Sequence, residues 1–253
     1  MRIACSLLLS VAVTSSAMAT EIDIAAGVEY FQWEEFSDSG RKYLDETGPR
    51  YFVQVLGSNR MNRDWSIDFG GRLYSGTVDY DGETMSGLPV RTDTDYNGIR
   101  TELGFTRYVS AGSPSTDNAW RIRFAVGLDQ WRRSLQDTAL SDGTPVSGYV
   151  ERYASSYAKV GAIYRPERAM SFGIGVKAPF HTREEVDIGG GTITLNPEGQ
   201  LSLFAEVEIP INDVMGVAID YDSYRFAKSD PEAGYYQPKS KQDTAGIALH
   251  YRF

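Results

Sequence analysis

The sequence predicts an all-β protein, a single antiparallel up-and-down barrel of about ten strands. Apolar residues recur at every second position in ten segments of about ten residues, which is the period of a strand with one apolar face. No stretch carries the period of an amphipathic helix over a useful length. Short and long connections alternate along the chain, as they do when hairpins follow one another around a sheet.

The first nineteen residues are set apart from these segments. They contain the basic Arg2, an apolar run and the small-residue ending Ala17-Met18-Ala19, which is the pattern of a secretory signal peptide. We therefore assign residues 1–19 to a signal peptide and residues 20–253 to one domain. The single cysteine, Cys5, lies in this leader, so the mature chain is predicted to have no disulfide.

The first five predicted strands show the alternation clearly. Their apolar faces are formed by alternate residues of Ile22–Tyr30, Tyr51–Val55, Trp65–Leu73, Ile99–Val109 and Trp120–Leu128. The opposite faces carry charged, polar and small side chains, as Arg121, Arg123 and Gly127 do in the fifth strand. Each segment therefore separates an apolar face from a polar one, as a strand between two environments does.

The last five strands follow the same rule, with a weaker sixth. Their apolar faces lie within Ala158–Tyr164, Met170–Phe180, Leu201–Ile209, Val217–Tyr221 and Ala245–Phe253. If the sixth segment were irregular, the barrel would have eight strands. Long connections are predicted at residues 34–48, 76–97, 131–152, 181–199 and 225–243, and short ones at 58–64, 109–118, 165–169 and 210–214. With ten strands, both termini fall on the short-turn side.

The apolar face is predicted to point outward into lipid. The polar face is rich in Gly, Ala and Ser, which suit a crowded concave interior. Aromatic residues gather at two levels of the apolar face, as in the girdles of a membrane barrel: Trp65, Trp120, Tyr164, Tyr251 and Phe253 at the short-turn end, and Tyr30, Tyr51, Phe180 and Tyr221 at the other. Arg107 is an outward charge near the short-turn end, where its side chain can reach the headgroups.

The chain ends on an alternating strand with a carboxy-terminal aromatic residue. With the leader ending Ala17-Met18-Ala19 and the amphipathic strands, this end resembles that of a Gram-negative outer-membrane β-barrel protein. The resemblance implies that the cell outer membrane is the destination, and that outer-membrane lipid and lipopolysaccharide surround the barrel. It also implies that the barrel-assembly machinery reads a signal formed by Ile247, Leu249, Tyr251 and Phe253.

Charges of both signs lie on the face predicted to point inward. The candidate lumen charges are Glu29, Asp68, Arg72, Arg100, Glu102, Arg121, Arg123, Asp129, Lys159, Lys177, Glu206, Asp220 and His250, and Glu208, Asp222 and Arg252 share that face. They either form a salt-bridge network that fills the core or line the constriction of a narrow channel for small polar solutes. The first is favoured, because wide aqueous lumens come at about sixteen strands.

Little in the sequence predicts catalysis. The formal charge of −9 argues against nucleic acid as a partner. Asp220, Asp222 and His181 are predicted near the outer rim, where the omptin proteases carry catalytic acids and a histidine, but an Asp-x-His pair is lacking. Solvated rim charges are the favoured interpretation, and His250 is expected to be a hydrogen-bonding core residue. We expect no enzyme, no metal and no cofactor.

The leading functional prediction is therefore a small porin-like channel or a closed structural barrel that displays acidic extracellular loops. The alternative is a surface adhesion or binding protein that acts through loops 76–97 and 131–152. A rim protease or lipid-modifying enzyme is the third hypothesis.

Overall fold

Ten long strands form one closed antiparallel barrel. The computed structural model describes residues 20–84, 86–109, 119–166, 170–187 and 190–253. Its barrel strands are β1 (Thr20–Phe36), β2 (Lys42–Arg60), β3 (Trp65–Glu83), β4 (Pro89–Val109), β5 (Ala119–Leu135), β6 (Val150–Arg165), β7 (Ser171–Asp187), β8 (Ser202–Pro210), β9 (Met215–Phe226) and β10 (Lys239–Arg252). None of the described residues forms a helix long and apolar enough to cross a membrane.

The first and last strands close the sheet, as predicted. The register of β1 with β10 runs from the pair Asp23 and Arg252 to the pair Phe36 and Lys239. Beyond it, the Phe253 N–H donates to the Ile22 carbonyl at 2.9 Å. Because the sheet closes, it has no free strand edge. A free edge in lipid would have backbone groups without hydrogen-bond partners.

Two short turns are built in the same way at one end of the barrel, which we call the short-turn end. In residues 61–64, the Asn62 side chain accepts hydrogen bonds from the backbone N–H groups of Asp64 and Trp65. In residues 211–214, Asn212 accepts from Val214 and Met215. Asparagine stabilises such turns because its side chain mimics a backbone acceptor. The predicted signal peptide and the turn at residues 110–118 lie outside the described residues.

The predicted outward direction of the apolar face is confirmed. Exposed apolar side chains form a continuous belt, which we call the apolar belt, on the outer faces of the strands: Ile24, Tyr30, Tyr51, Val53, Phe69, Leu73, Leu103, Phe105, Trp120, Val126, Phe172, Ile174, Phe180, Leu203, Ile219, Ile247, Leu249, Tyr251 and Phe253 among others. Such a band is what a hydrocarbon phase requires of a barrel surface.

The strands continue well beyond this belt, so the predicted long loops were too long. On β3, Leu73 belongs to the belt, whereas Asp79 and Asp81 point outward above it, and Val78 and Tyr80 are buried inside. The alternation therefore persists with its faces exchanged, polar outside and apolar inside, as in a soluble barrel. In the sequence, this exchange of apolar and polar faces looks like the end of a strand. In the structure, however, the strand continues, and residues 84–88 alone connect β3 to β4.

Other connections are also shorter than predicted, because their strands too continue beyond the belt. β1 and β2 are joined by residues 37–41, and β10 already begins at Lys239. The sixth strand is one continuous element, which settles ten strands and not eight. The connection 136–149 carries a small hairpin of Thr138–Ala139 with Pro145–Val146, and Thr192–Leu195 folds back onto β7.

A β-bulge changes the facing of β7 at the top of the belt. The register with β6 passes from Tyr157 opposite Pro179 to Ser156 opposite His181, which leaves Phe180 as the extra residue. Phe180 and His181 are consecutive and both exposed, and Thr182 beyond them is buried. The bulge thus moves the inward face of β7 by one residue.

Candidate functional site

The barrel interior has three levels. Along β1, Asp23 and Ala25 lie nearest the short-turn end, Glu29 follows, and Phe31 and Trp33 lie beyond. We call the cavity at the first level the vestibule. The second level, the ionic layer, consists of Glu29, Arg50, Arg72, Arg100, Glu102, Asp129, Lys159, Lys177, Asp220 and Asp222. The third, the aromatic layer, consists of Phe31, Trp33, Tyr96, Trp131, Tyr153 and Phe226, all buried.

One half of the ionic layer is organised by Glu29. Arg50 donates to it through Nε at 2.8 Å, and both side chains are buried. Arg72 reaches the other oxygen at 3.2 Å and also grips Asp220 through both terminal nitrogens, at 3.1 and 2.8 Å. Since Arg72 lies on β3 and Asp220 on β9, this pair crosses the lumen.

The other half is organised by Asp222 and Asp129. Arg100 donates to Asp129 at 2.9 Å and to Asp222 on the far wall. Lys177 also donates to Asp222, and Lys159 lies 3.6 Å from the same carboxylate. Arg72 and Arg100 face each other across β3 and β4, and the acids of β9 neutralise this like-charged pair.

Tyrosine hydroxyls complete the layer. Tyr74 and Tyr224 donate to Asp129 at 2.8 and 3.1 Å, and Tyr157 donates to Glu102 at 3.0 Å. The Lys177 ammonium also lies 3.2 Å from the Tyr224 ring centroid, which adds a cation–π contact. Eight of the ten strands thus contribute a charged side chain to the layer, and the charges are paired and hydrogen-bonded.

All the predicted lumen charges lie in the interior. Glu29, Arg72, Arg100, Glu102, Asp129, Lys159, Lys177 and Asp220 belong to the ionic layer, and Asp68, Arg121, Arg123, Glu206 and His250 line the vestibule. The sequence did not reveal their pairing, because partners such as Arg72 and Asp220 are 148 residues apart.

Sequence reasoning missed a further ionic cluster above the apolar belt. Arg133 donates to Glu46 at 2.8 Å and to Glu151 at 2.6 Å, and all three side chains are buried. Glu35 lies in the same region and accepts hydrogen bonds from Trp33 and Gln237 at 3.0 and 3.2 Å. These acids fall inside the predicted loops, so the continued period-two pattern with exchanged faces was the signal that could have located them.

Two carboxyl groups of this upper region have a pKa raised above the ordinary value. Burial raises the pKa of Glu35, an effect that Arg133 partly offsets and Glu151 reinforces. Burial also raises the pKa of Glu184 well above its ordinary value, helped by the nearby Glu151 and Glu35. Several glutamates lie around Arg133 here, and their mutual repulsion adds to the effect of burial.

The residues proposed for an outer rim do not meet there. Asp220 and Asp222 are held inside the ionic layer, because β9 continues above them to Phe226. His181 is exposed on the outside of β7, where the bulge has placed it. The predicted rim position of the two aspartates was therefore wrong.

His250 is buried in the wall of the vestibule. Its Nδ1 lies 3.6 Å from Asp23, but its Nε2 has no hydrogen-bond partner among the described residues. His250 is thus buried as expected, but the expected hydrogen bond is not seen among the described residues, since Nδ1 lies 3.6 Å from Asp23 and Nε2 lies 3.8 Å from Glu208.

The vestibule is a cavity of about 320 Å³. Arg72, Arg100, Lys159 and Asp222 of the ionic layer bound its inner end. Its mouth lies among the strand ends at the short-turn end, where Arg60, Tyr108 and Arg121 surround an adjoining space of about 170 Å³. In the described part of the chain, the vestibule is therefore a blind pocket.

Comparison with known proteins supports the fold. No family model matches the chain, and no curated protein matches it. The outer membrane protease OmpT from Escherichia coli is similar in structure, with a TM-score of 0.57 and 13% identity over 94% of this chain and 99% of that one. The chain has the fold of an outer-membrane β-barrel. At this identity the similarity is one of fold alone.

Two further outer-membrane structures resemble the chain more distantly. Ail, the attachment invasion locus protein of Yersinia pestis, has a TM-score of 0.40 and 12% identity over 93% of this chain and 100% of that one. A TodX deltaS2S3 mutant monoaromatic hydrocarbon channel has a TM-score of 0.40 and 8% identity, over 94% and 91% of the two chains.

Proposed function

We propose that the protein is a closed barrel of the outer membrane that acts at the cell surface and is not a passive pore. The observation that carries this proposal is the ionic layer, whose ion pairs join opposite walls of the barrel. A hydrated solute would have to separate Arg72 from Asp220 and Arg100 from Asp222. Leaving one member of a buried pair uncompensated costs about 3–5 kcal/mol.

The aromatic layer adds a second barrier. Trp131 and Tyr153 stack at 4.6 Å, Trp33 lies 5.7 Å from Tyr153, and Phe31 packs on Tyr96 at 4.6 Å. All five rings are buried, and they fill the lumen above the ionic layer. Such close packing of rings opposes the passage of water and hydrated solutes.

Liposome swelling tests the closure. Mature protein, refolded and reconstituted into liposomes, should leave the rate of swelling in arabinose at that of protein-free liposomes. A sixteen-stranded porin, reconstituted at the same ratio, provides the positive control. Swelling above the protein-free rate by the folded wild-type barrel would overturn the proposal.

We also propose that the long-strand end faces the outside of the cell, because outer-membrane barrels place their short turns in the periplasm. Single cysteines at exposed positions test this, since the one native cysteine, Cys5, lies in the predicted leader. Ser39→Cys should react with a membrane-impermeant maleimide on intact cells, whereas Asn212→Cys should react only after permeabilisation. The reverse result would contradict this orientation.

The second candidate is surface binding, which a specific feature favours. Above the apolar belt, Asp79 faces Asp93 across β3 and β4, and neither carboxylate forms an ion pair with another of the described residues. Like charges directly opposite each other destabilise a sheet, so a basic partner would relieve the repulsion. The double variant Asp79→Asn, Asp93→Asn should weaken binding of an oligolysine peptide, and Asp213→Asn at the other end should not. Equal binding by all three proteins would contradict this role.

The geometry does not favour an enzymatic role for Asp220 and Asp222. Arg72 forms an ion pair with Asp220, and Arg100, Lys159 and Lys177 surround the carboxylate of Asp222. We therefore propose a binding and structural function in preference to a hydrolytic one.

A further inference from the structure

Basic side chains without an ion pair are concentrated at the short-turn end. In the described part of the chain, the lysines and arginines that form no ion pair are Arg60, Arg63, Arg107, Arg121, Arg132 and Lys239. Among these, Arg132 and Lys239 alone lie on the other side of the apolar belt. The chain as a whole carries a formal charge of −9, so unpaired cations at one end of it call for a partner outside the barrel.

Arg107 lies on the outer, lipid-facing side of β4. It stands between Phe105 and Val109, which are exposed apolar residues of the same face. The register places Trp65 opposite it on β3 and Ile122 opposite it on β5. Arg107 is therefore a charge surrounded by the side chains of the apolar belt.

Exposed apolar side chains continue beyond Arg107 into the short turns. Met61 lies in the turn between β2 and β3, and Ile211 and Val214 lie in the turn between β8 and β9. Apolar residues at the tip of a turn are unfavourable in water, whereas they suit the interfacial zone of a bilayer. This composition indicates that the level of Arg107 is covered by lipid and that the turns lie among the headgroups.

A guanidinium at this level needs an anion. Arg107 donates no hydrogen bond and forms no ion pair among the described residues, and its guanidinium carbon lies 5.7 Å from the Trp65 ring centroid. The ring orients the side chain but does not neutralise its charge. The planar N–H donors of an arginine match two oxygens of a phosphate. In the headgroup zone, the phosphate of a phospholipid is the anion at hand.

Arg63 supplies a second cation at the same corner of the barrel. It is exposed in the turn that leads into Trp65. That turn is tied to β4, since the Tyr108 N–H donates to the Asp64 carbonyl at 2.8 Å. The Asp64 carboxylate forms no ion pair with any of the described residues, so it leaves both arginines uncompensated. Such a corner favours a lipid with a net negative charge over a zwitterionic one, whose own cationic group it repels.

We propose that the short-turn end binds an anionic phospholipid on the outside of the barrel. The lipid phosphate lies on Arg107 beside Trp65, and the acyl chains follow the outer face of β3 and β4, where Phe69 and Leu103 are exposed opposite each other. The orientation proposed above places this lipid in the periplasmic leaflet, although its binding can be tested without knowing the orientation. This lipid site goes beyond the closed barrel and the surface role proposed above.

Fluorescence quenching by brominated lipids tests the site. Trp120→Phe leaves Trp65 as the tryptophan that faces lipid, because Trp33 and Trp131 are buried in the aromatic layer. The refolded Trp120→Phe protein is reconstituted into phosphatidylcholine vesicles that contain increasing fractions of dibrominated phosphatidylglycerol or dibrominated phosphatidylcholine. Quenching should show a preference for phosphatidylglycerol of about fivefold, as expected for one arginine at an anionic headgroup.

Variants at Arg107 locate that preference. In the Trp120→Phe background, Arg107→Gln should reduce it to less than about twofold, because the charge that meets the phosphate is lost. Arg107→Lys keeps the charge without the planar fork and should retain an intermediate preference. The matched control is Arg132→Gln, an exposed arginine without an ion pair on the other side of the belt, which should keep the full preference.

Heat-modified migration on gels confirms that each variant is folded. Equal quenching by the two lipids in the Trp120→Phe protein would overturn the proposal. A full preference in Arg107→Gln, or the same loss in Arg107→Gln and Arg132→Gln, would also overturn it, because the selectivity would then not arise at this corner.

Discussion

At the residue scale, a few carboxylates hold the interior together by each meeting several cations. Asp222 accepts hydrogen bonds from Arg100 and Lys177, and its carboxylate lies 3.6 Å from the Lys159 ammonium. Burial removes the water that would otherwise solvate these groups, so the cations depend on nearby carboxylates for their compensation. Removing that single negative charge would leave the buried Lys177 without a carboxylate partner among the described residues, and Arg100 and Lys159 with only Asp129 and Glu102.

The first prediction follows from this dependence. Asp222→Asn should lower the free energy of unfolding by about 3–5 kcal/mol, because buried cations lose their partner. Urea titration of the protein in lipid vesicles, followed by tryptophan fluorescence, measures the change. Asp81→Asn removes an exposed acid that pairs with Arg91 and should change the value by less than about 1 kcal/mol. Similar losses for both variants would show that the ionic layer does not stabilise the barrel.

The second prediction concerns Glu184, which lies beyond the apolar belt. Burial raises its pKa in the folded protein above the ordinary value of 4.5, so the folded state binds a proton that the unfolded state releases. Stability should therefore fall as the pH rises through the folded pKa. Glu184→Gln should flatten that fall and raise the free energy of unfolding at pH 8 by about 1–3 kcal/mol.

Unfolding by urea at several pH values measures this effect. Glu185→Gln, the neighbour on the outer face of β7, is the control and should keep the pH dependence of the wild type. If Glu184→Gln destabilised the barrel equally at pH 5 and pH 8, the carboxyl would be ionised in the folded protein at both values, and its pKa would not be raised.

At the scale of the strands, aromatic rings cover glycines on neighbouring strands. A Cβ added at Gly98 would lie 2.4 Å from the Tyr74 ring, and one at Gly127 would lie 2.4 Å from the Tyr157 ring. Both tyrosines carry hydroxyls that bond carboxylates of the ionic layer. Because Gly98 and Gly127 have no side chains, the rings of Tyr74 and Tyr157 can lie over these positions and reach their carboxylates.

The third prediction tests this arrangement. Gly98→Val should lower the free energy of unfolding by about 1–3 kcal/mol, because it displaces Tyr74 from Asp129. Gly71→Val is the matched control, since a Cβ at this outward position meets nothing within 4 Å. Equal stability of the two variants would show that the glycine at position 98 has no packing role.

The fourth prediction concerns the last strand. The Phe253 ring is 71% exposed and contacts Tyr251 at 4.8 Å, so it contributes little to the folded core. If the carboxy-terminal aromatic is an assembly signal, Phe253→Ala should refold in detergent like the wild type but reach the outer membrane of cells in reduced amount. Membrane fractionation with immunoblotting measures this. Phe180→Ala, another exposed belt ring, is the control, and equal yields of the two variants would contradict a signalling role.

The sequence predicted the half of each strand that faces lipid and failed on the other half. Residues such as Ile24, Val53 and Val126 alternate with polar neighbours, and lipid makes that pattern unambiguous. Above the belt the character of the two faces exchanges. Val78 and Tyr80 point inward and Asp79 and Asp81 point outward, and in the sequence such a stretch resembles an acidic loop.

The candidate site was predictable only as a set of residues. Period two places Arg72, Arg100 and Asp220 on the inward face, but which of them meet depends on strand stagger around the closed barrel. The bulge of β7 and the convergence of Arg60 and Arg121 on Tyr108 likewise have no local signal in the sequence.

At the scale of the whole molecule, the outer surface of one barrel suits two environments, lipid around the apolar belt and water above it. Its lower part is apolar outside and charged inside, whereas its upper part is polar outside and aromatic inside. Paired charges fill the ionic layer and packed rings fill the level above it, whereas in the described part of the chain the vestibule remains open. The closure proposed above therefore rests on two levels of the barrel interior and does not depend on one loop.

Single-channel recording of the refolded mature protein in a planar bilayer tests this closure most directly. Folded wild-type barrels should give no steady conductance steps at any moderate voltage. Steady steps whose ion selectivity changes in Arg72→Gln or Arg100→Gln would show a continuous aqueous path through the ionic layer and contradict a closed barrel.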